Sequence, residues 1–199
     1  MIDLVIRVGF EGAFDRQPVL WLFCEEDENR LQRPYHVPAY PTTPGKRPRF
    51  FVAHGRRLVL GPWPDSIPGL IQLRSEYLIA PLSNGHIRLL TNIAKRTGIP
   101  WDLILSAELS GHYKPDEEAY LTAVDYLDLQ PAEVMMVAAH ERDLEASREV
   151  GLRTAYVHRP FEWGPERADD VERPSQSAYD VIADDLVDLA EQLGSEPIL

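Results

Sequence analysis

From residue 59 onward the hydrophobic pattern changes period at regular intervals, and each change predicts an element. In "WPDSIPGLIQLRSEY", Asp65 or Ser66 is placed to cap a short helix with Ile67, Leu70, Ile71 and Leu73 on its apolar side. "YLIAPLSNG" is an apolar run closed by turn residues, the pattern of a buried strand. "HIRLLTNIAKRTG" has helical spacing and ends on Gly98, well placed just past the helix. "WDLILSAELSG" predicts a short strand. "KPDEEAYLTAVDYLDL" predicts a helix capped by Asp116, with Ala119, Tyr120, Ala123, Val124 and Leu127 at helical spacing. "VMMVAA" reads as a strand, "RDLEASREVG" as a helix, "RTAYVHRP" as a strand and "SAYDVIADDLVDLAEQLG" as a closing helix. Strands alternating with helices of this size predict βαβ units: an α/β fold with a mostly parallel sheet and helices on both faces.

The first 58 residues break this pattern. They hold nine Lys/Arg against seven Asp/Glu, a net of +2, whereas residues 59–199 carry a net of −14. Six of the seventeen prolines fall there, mostly in "RPYHVPAYPTTPGKRP", which continues neither a helix nor a central strand because proline lacks the N–H. The expected organisation is therefore an irregular, Pro-rich segment over 1–58 and a folded core over 59–199.

The overall formal charge of −12 argues against nucleic acid or an anionic membrane as partner. No apolar run reaches the ~20 residues needed to span a bilayer, and "MIDLVIRVGFEG" lacks the layout of a signal peptide. Cys24 is the single cysteine, so no internal disulfide forms, which fits a cytoplasmic location.

Ligands of open parallel sheets bind beyond the carboxyl ends of the strands, so the residues after each strand carry the chemistry. Ser83-Asn84-Gly85 opens a helix with a hydroxyl, an amide and N–H groups, a small anion site or an ordinary cap. Lys114 in "YKPD" precedes a helix, where an ammonium holds a carboxylate ionised or simply meets solvent. Asp143 lies in the turn after "VMMVAA", as a functional carboxylate or a helix cap. His140 shares that turn. The six histidines show no HxH or HExxH spacing, so zinc has little support.

In order, "LSNG", "YKPD" and "VMMVAAHERDLEASREVGLRTAYVHRP" resemble the second, third and fourth motifs of the haloacid dehalogenase-like hydrolases, nearest to the type II (S)-2-haloacid dehalogenases. The likeness runs from about Gly61 to Gly194. It implies a Rossmann-like core and, in that branch, cleavage of a carbon–halogen bond with no metal and no cofactor. A carboxylate displaces halide, and water hydrolyses the resulting ester. By resemblance, Ser83 and Asn84 hold the substrate carboxylate, Lys114 orients the nucleophile, and Asp143 is the Lys114 partner that helps position water. The implied partner is a small 2-haloacid-like carboxylate, and a homodimer is a further expectation of the family. The superfamily's phosphatases bind Mg²⁺ through acids that include one where Ala139 stands, and alanine offers a metal nothing. Where the dehalogenase branch commonly has Ser and Asn, this chain has Ala138 and His140.

The family's first motif, an aspartate followed by x-x-Gly-Thr, does not occur in residues 1–60. The helical cap that follows it in relatives is expected to be largely absent. In this fold the first strand lies mid-sheet, and omitting it would leave two rows of buried backbone groups unpaired. The sequence offers "VLWLFC" (Val19–Cys24) as the first candidate for that slot and "LVIRV" (Leu4–Val8) as the second. With the first in place, Glu25, Glu26 or Asp27 approaches the nucleophile's position. The expected function is thus a haloacid dehalogenase-like hydrolase. The alternatives are a non-catalytic or truncated relative that binds small acids and, disfavoured by Ala139, a Mg²⁺-dependent phosphatase.

Overall fold

The computed structural model describes residues 62–195, together with the backbone of Leu4–Arg7 and Val19–Trp21. The boundary near residue 58, the expected loss of the cap, Cys24 and the carboxylates Glu25, Glu26 and Asp27 lie outside the described residues.

Three strands form the buried centre: β3 (Leu78–Ser83), β5 (Val134–Ala138) and β6 (Arg153–Val157). Their near-continuous apolar sequences reflect cover on both faces, the usual state of parallel strands. Two N-terminal strands, β1 (Leu4–Arg7) and β2 (Val19–Trp21), a two-residue β4 (Leu105–Ser106) and β7 (Val181–Ala183) complete the sheet. Its order is β4-β3-β2-β5-β6-β7, with β1 paired to β5 off that path. β2 runs parallel to both neighbours, with Leu20 level with Ile79 and Met135, while β1 runs antiparallel, with Val5 opposite Met136. The slot between β3 and β5 therefore has backbone in it, with Trp21, the last described residue of β2, level with Met136.

Side chains alternate through the sheet into two cores. On one face Met135, Val137, Ile79 and Ala155 pack with Leu70 and Leu73 of α1 (Ser66–Glu76), Ile93 of α2 (Ile87–Thr97) and Leu186 and Leu189 of α6 (Leu186–Gln192). On the other, Val134, Met136, Ala138 and Tyr156 pack with Tyr120, Ala123 and Val124 of α4 (Glu117–Tyr126) and Leu144 of α5 (Glu141–Glu149). A one-turn helix, α3 (Ala107–Ser110), separates β4 from the loop that leads to α4. α2 ends as its sequence predicts: Gly98 adopts the left-handed conformation (φ 79°) and its N–H reaches the Ala94 carbonyl.

Four local expectations are corrected. "SAYDVIADDLVDLAEQLG" is a strand followed by a helix. Val181–Ala183 pairs with β6, and the Asp185 carboxylate accepts from the N–H groups of Val187 and Asp188 to start α6. Ahead of that strand, Asp180 accepts from the Thr154 N–H and hydroxyl and from Arg153. "WDLILSAELSG" forms only the two residues of β4 before turning into α3. Ile71 is exposed (41%) because α1 presents Gly69, Leu70 and Leu73 to the core, with Gly69 against the Leu186 backbone. Asp65 and Asp116 occupy N-cap positions, yet neither side chain makes the capping hydrogen bond.

Asp65 instead receives both Arg159 guanidinium nitrogens (2.9 and 2.6 Å) and the Leu186 N–H (3.0 Å). Burial pushes its carboxyl up, but the hydrogen bonds and charge of Arg159 and the Leu186 amide outweigh this and hold it below its ordinary value. Arg159 also stacks over Trp63, 5.3 Å from the ring centroid. This cluster ties the chain leaving β6 to the starts of α1 and α6, beneath the carboxyl edge of the sheet.

Candidate active site

At the carboxyl ends of β3 and β5, Lys114 and Asp143 meet. Lys114 Nζ lies 2.5 Å from Asp143 Oδ2, and their side chains are only 3% and 9% exposed. The other carboxylate oxygen, Oδ1, accepts from the Tyr120 hydroxyl at 3.0 Å. Each partner comes from a different element: Lys114 from the turn before α4, Tyr120 from α4, Asp143 from the first turn of α5. A charge this far from water persists only when paired and hydrogen-bonded, and here both conditions hold.

Asn84 holds the backbone from which the Lys114 side chain projects. Its Oδ1 accepts from the Lys114 N–H at 2.8 Å and its Nδ2 donates to the Lys114 carbonyl at 3.3 Å. The Lys114–Pro115 peptide is cis. Ser83 is buried (1% exposed), and its hydroxyl accepts from the Gly85 N–H at 2.9 Å. The first N–H of α2, at Ile87, is given to the Glu108 carboxylate at 2.8 Å. Two of the amides that the sequence left for an anion thus already have protein acceptors. The Ser83–Asn84 turn acts on its own backbone and on Lys114.

A cavity of about 670 Å³ opens over this group. Asn84, Lys114, Ala139, His140, Asp143 and Tyr156 are among its lining residues, with Arg142, Asp170 and Glu172 contributing as well. Ser83 is absent from that lining, so of the four residues singled out by the sequence, Asn84, Lys114 and Asp143 share the cavity wall. Ala139 gives the cavity no ligand, and both oxygens of Asp143 are engaged by Lys114 and Tyr120. The one cluster with metal-ligand spacing among the described residues, His112, Asp116 and Glu118, is exposed and outside this cavity.

Two residues escaped the sequence reading. Tyr120 read as an apolar helical position; its hydroxyl was the available signal, since a buried phenol almost always finds a partner. Glu162, in the loop after β6, places Oε2 3.1 Å from His140 Nε2, with both side chains mostly buried (18% and 13% exposed). Nothing in "RPFEWGP" marks that glutamate, because its partner is 22 residues away.

A family model described as haloacid dehalogenase-like hydrolase matches residues 22–151. The chain belongs to that family. Among curated relatives of this chain, (S)-2-haloacid dehalogenase 4A of Burkholderia cepacia is 30% identical over 142 residues, 70% of this chain and 59% of the relative. A solved defluorinating L-2-haloacid dehalogenase is 51% identical with a TM-score of 0.64, covering 68% of this chain and 54% of that one. A second solved L-2-haloacid dehalogenase is 47% identical with a TM-score of 0.63, covering 68% and 57%. The chain thus spans less than two thirds of the length of each of these relatives. Among the described residues no helix is long and apolar enough to cross a membrane.

Proposed function

We propose that this haloacid dehalogenase-like hydrolase binds small 2-halocarboxylic acids at the Lys114–Asp143 cavity and cleaves their carbon–halogen bond without a metal. The observation that carries this reading is the buried ammonium–carboxylate contact of 2.5 Å between Lys114 and Asp143, at the carboxyl edge of the sheet toward which β2 runs parallel to β5. An ammonium fixed there keeps an incoming carboxylate ionised and oriented, as nucleophilic displacement of halide requires. In this scheme Lys114 orients the nucleophile. Asp143, steadied by Tyr120, positions the water that hydrolyses the ester, and Ser83 and Asn84 shape the turn that meets the substrate carboxylate. The nucleophile is assigned to the carboxylates that follow β2 in sequence, Glu25, Glu26 or Asp27. Ala139 and the engaged oxygens of Asp143 support the metal-free form over a magnesium phosphatase.

A second reading is favoured by one observation: residues 1–60 contain no aspartate followed by x-x-Gly-Thr. On that reading the same cavity binds small acids without turning them over. Halide release from (S)-2-chloropropionate in the presence of EDTA separates the two. Release that is lost in Lys114→Ala supports the hydrolase. A folded chain that binds lactate but releases no halide supports the binding protein.

A further inference from the structure

The cavity wall is poorly arranged to hold an anion at neutral pH. Lys114 is matched by Asp143 at 2.5 Å, which leaves Arg142 as the other cation of the lining against Glu141, Asp170 and Glu172. Glu162 adds a further carboxylate immediately behind His140. A small carboxylate entering this wall meets more negative than positive charge among the described residues. One group in the lining can change that balance near physiological pH, namely the imidazole of His140.

We infer that His140, held by Glu162, is the anion-selecting residue of the cavity, and that a carboxylate enters together with a proton on the imidazole. With the cavity read as a small-carboxylate site, the contact geometry supplies the coupling. His140 begins the turn into α5 and faces Glu162 and the Trp163 ring, 6.2 Å between centroids, from the loop after β6. Arg142 and Asp143 of α5, Lys114 before α4 and Tyr156 of β6 share its cavity. Glu141, Asp170 and Glu172 are the further charged groups of that lining. A neutral ring that donates to Glu162 becomes one half of an ion pair when protonated, and the Glu162 charge then no longer opposes the ligand. By linkage, a ligand that prefers the protonated wall must draw a proton in when it binds. Glu162 is in this account a positioning residue, because it acts on the ligand through His140.

The test needs no turnover. Lactate, which stays an anion from pH 5.5 to 8, is titrated calorimetrically into the full chain in two buffers of different ionisation enthalpy. The expected result is uptake of a fraction of a proton near pH 6.5 and binding roughly fivefold tighter at pH 5.5 than at pH 8, the scale of one added charge at short range. His140→Gln should abolish both effects. Glu162→Gln should move the midpoint to lower pH, because the imidazolium loses its carboxylate, and it guards against a His140 variant that fails to fold. His112→Gln, at an exposed histidine outside the cavity, should change neither. Lactate binding without proton uptake, or uptake that survives His140→Gln, overturns the inference while leaving the acid site standing. No lactate binding at any pH overturns both.

Discussion

Replacing Lys114 with methionine removes the ammonium while keeping most of the side-chain volume. Asp143 is then left as a carboxylate that is 9% exposed, with the Tyr120 hydroxyl as its remaining donor of those described above, packed beside the fully buried Leu144. Removing one partner of a buried ion pair costs about 3–5 kcal/mol, because the other charge stays desolvated. For a domain of this size each kcal/mol shifts the midpoint by about 2–4 °C, so Lys114→Met should melt roughly 6–20 °C below wild type. Adding Asp143→Leu removes the stranded charge, and such double replacements are often neutral or stabilising. The double variant should therefore recover most of the loss. Urea unfolding of the four chains closes a double-mutant cycle and reads the coupling directly. A single variant within ~1 kcal/mol of wild type would mean the pair behaves as an exposed one, and the argument from burial would be wrong.

Other outcomes follow from the same contacts. Tyr120→Phe removes a donor to a buried carboxylate and should cost about 1.5–3 kcal/mol in urea unfolding; no loss would show that Asp143 is hydrated. A Cβ at Gly69 would lie 2.5 Å from the Leu186 carbonyl carbon, so Gly69→Ala should force α1 and α6 apart and cost roughly 1–3 kcal/mol; an unchanged thermal midpoint would contradict that packing. Asp65 has a lowered pKa when folded, so its stabilisation is complete above its unfolded value of 3.8 and is lost as pH falls through the lower folded one. Asp65→Asn should accordingly be less stable than wild type at pH 7, with the gap narrowing only in strongly acidic solution, as followed by thermal melts across pH.

The parts of the fold that were legible in the sequence are those governed by local pattern. β3, β5 and β6 show as apolar runs because parallel strands are buried on both faces, and Gly98 marks the end of α2 because few other residues take a positive φ without strain. The missed strand β7 has three residues, Val181 to Ala183, too few to show a period of two against the helical spacing that follows. What distinguishes it is pairing with β6, a long-range contact. The site divides in the same way. Lys114 and Asp143 stand out by position after strands, and their meeting follows from the sheet order. Tyr120, Glu162 and the Glu108 carboxylate on Ile87 depend on which side chains face each other across 21 to 23 residues of chain. No local pattern encodes that. Asp65 shows the limit of cap signals, since its carboxylate is claimed by Arg159, 94 residues away.

In the proposed reaction a carboxylate of this chain, oriented by Lys114, attacks the halogen-bearing carbon. Its most direct test is a single turnover with enzyme in excess over (S)-2-chloropropionate in H₂¹⁸O, followed by peptide mass spectrometry. The expected result is stoichiometric halide and ¹⁸O in one carboxylate of Glu25, Glu26 or Asp27, because water opens the ester at the protein's carbonyl. Halide release with ¹⁸O only in the hydroxyl of the product, or no release from a folded chain, would contradict it.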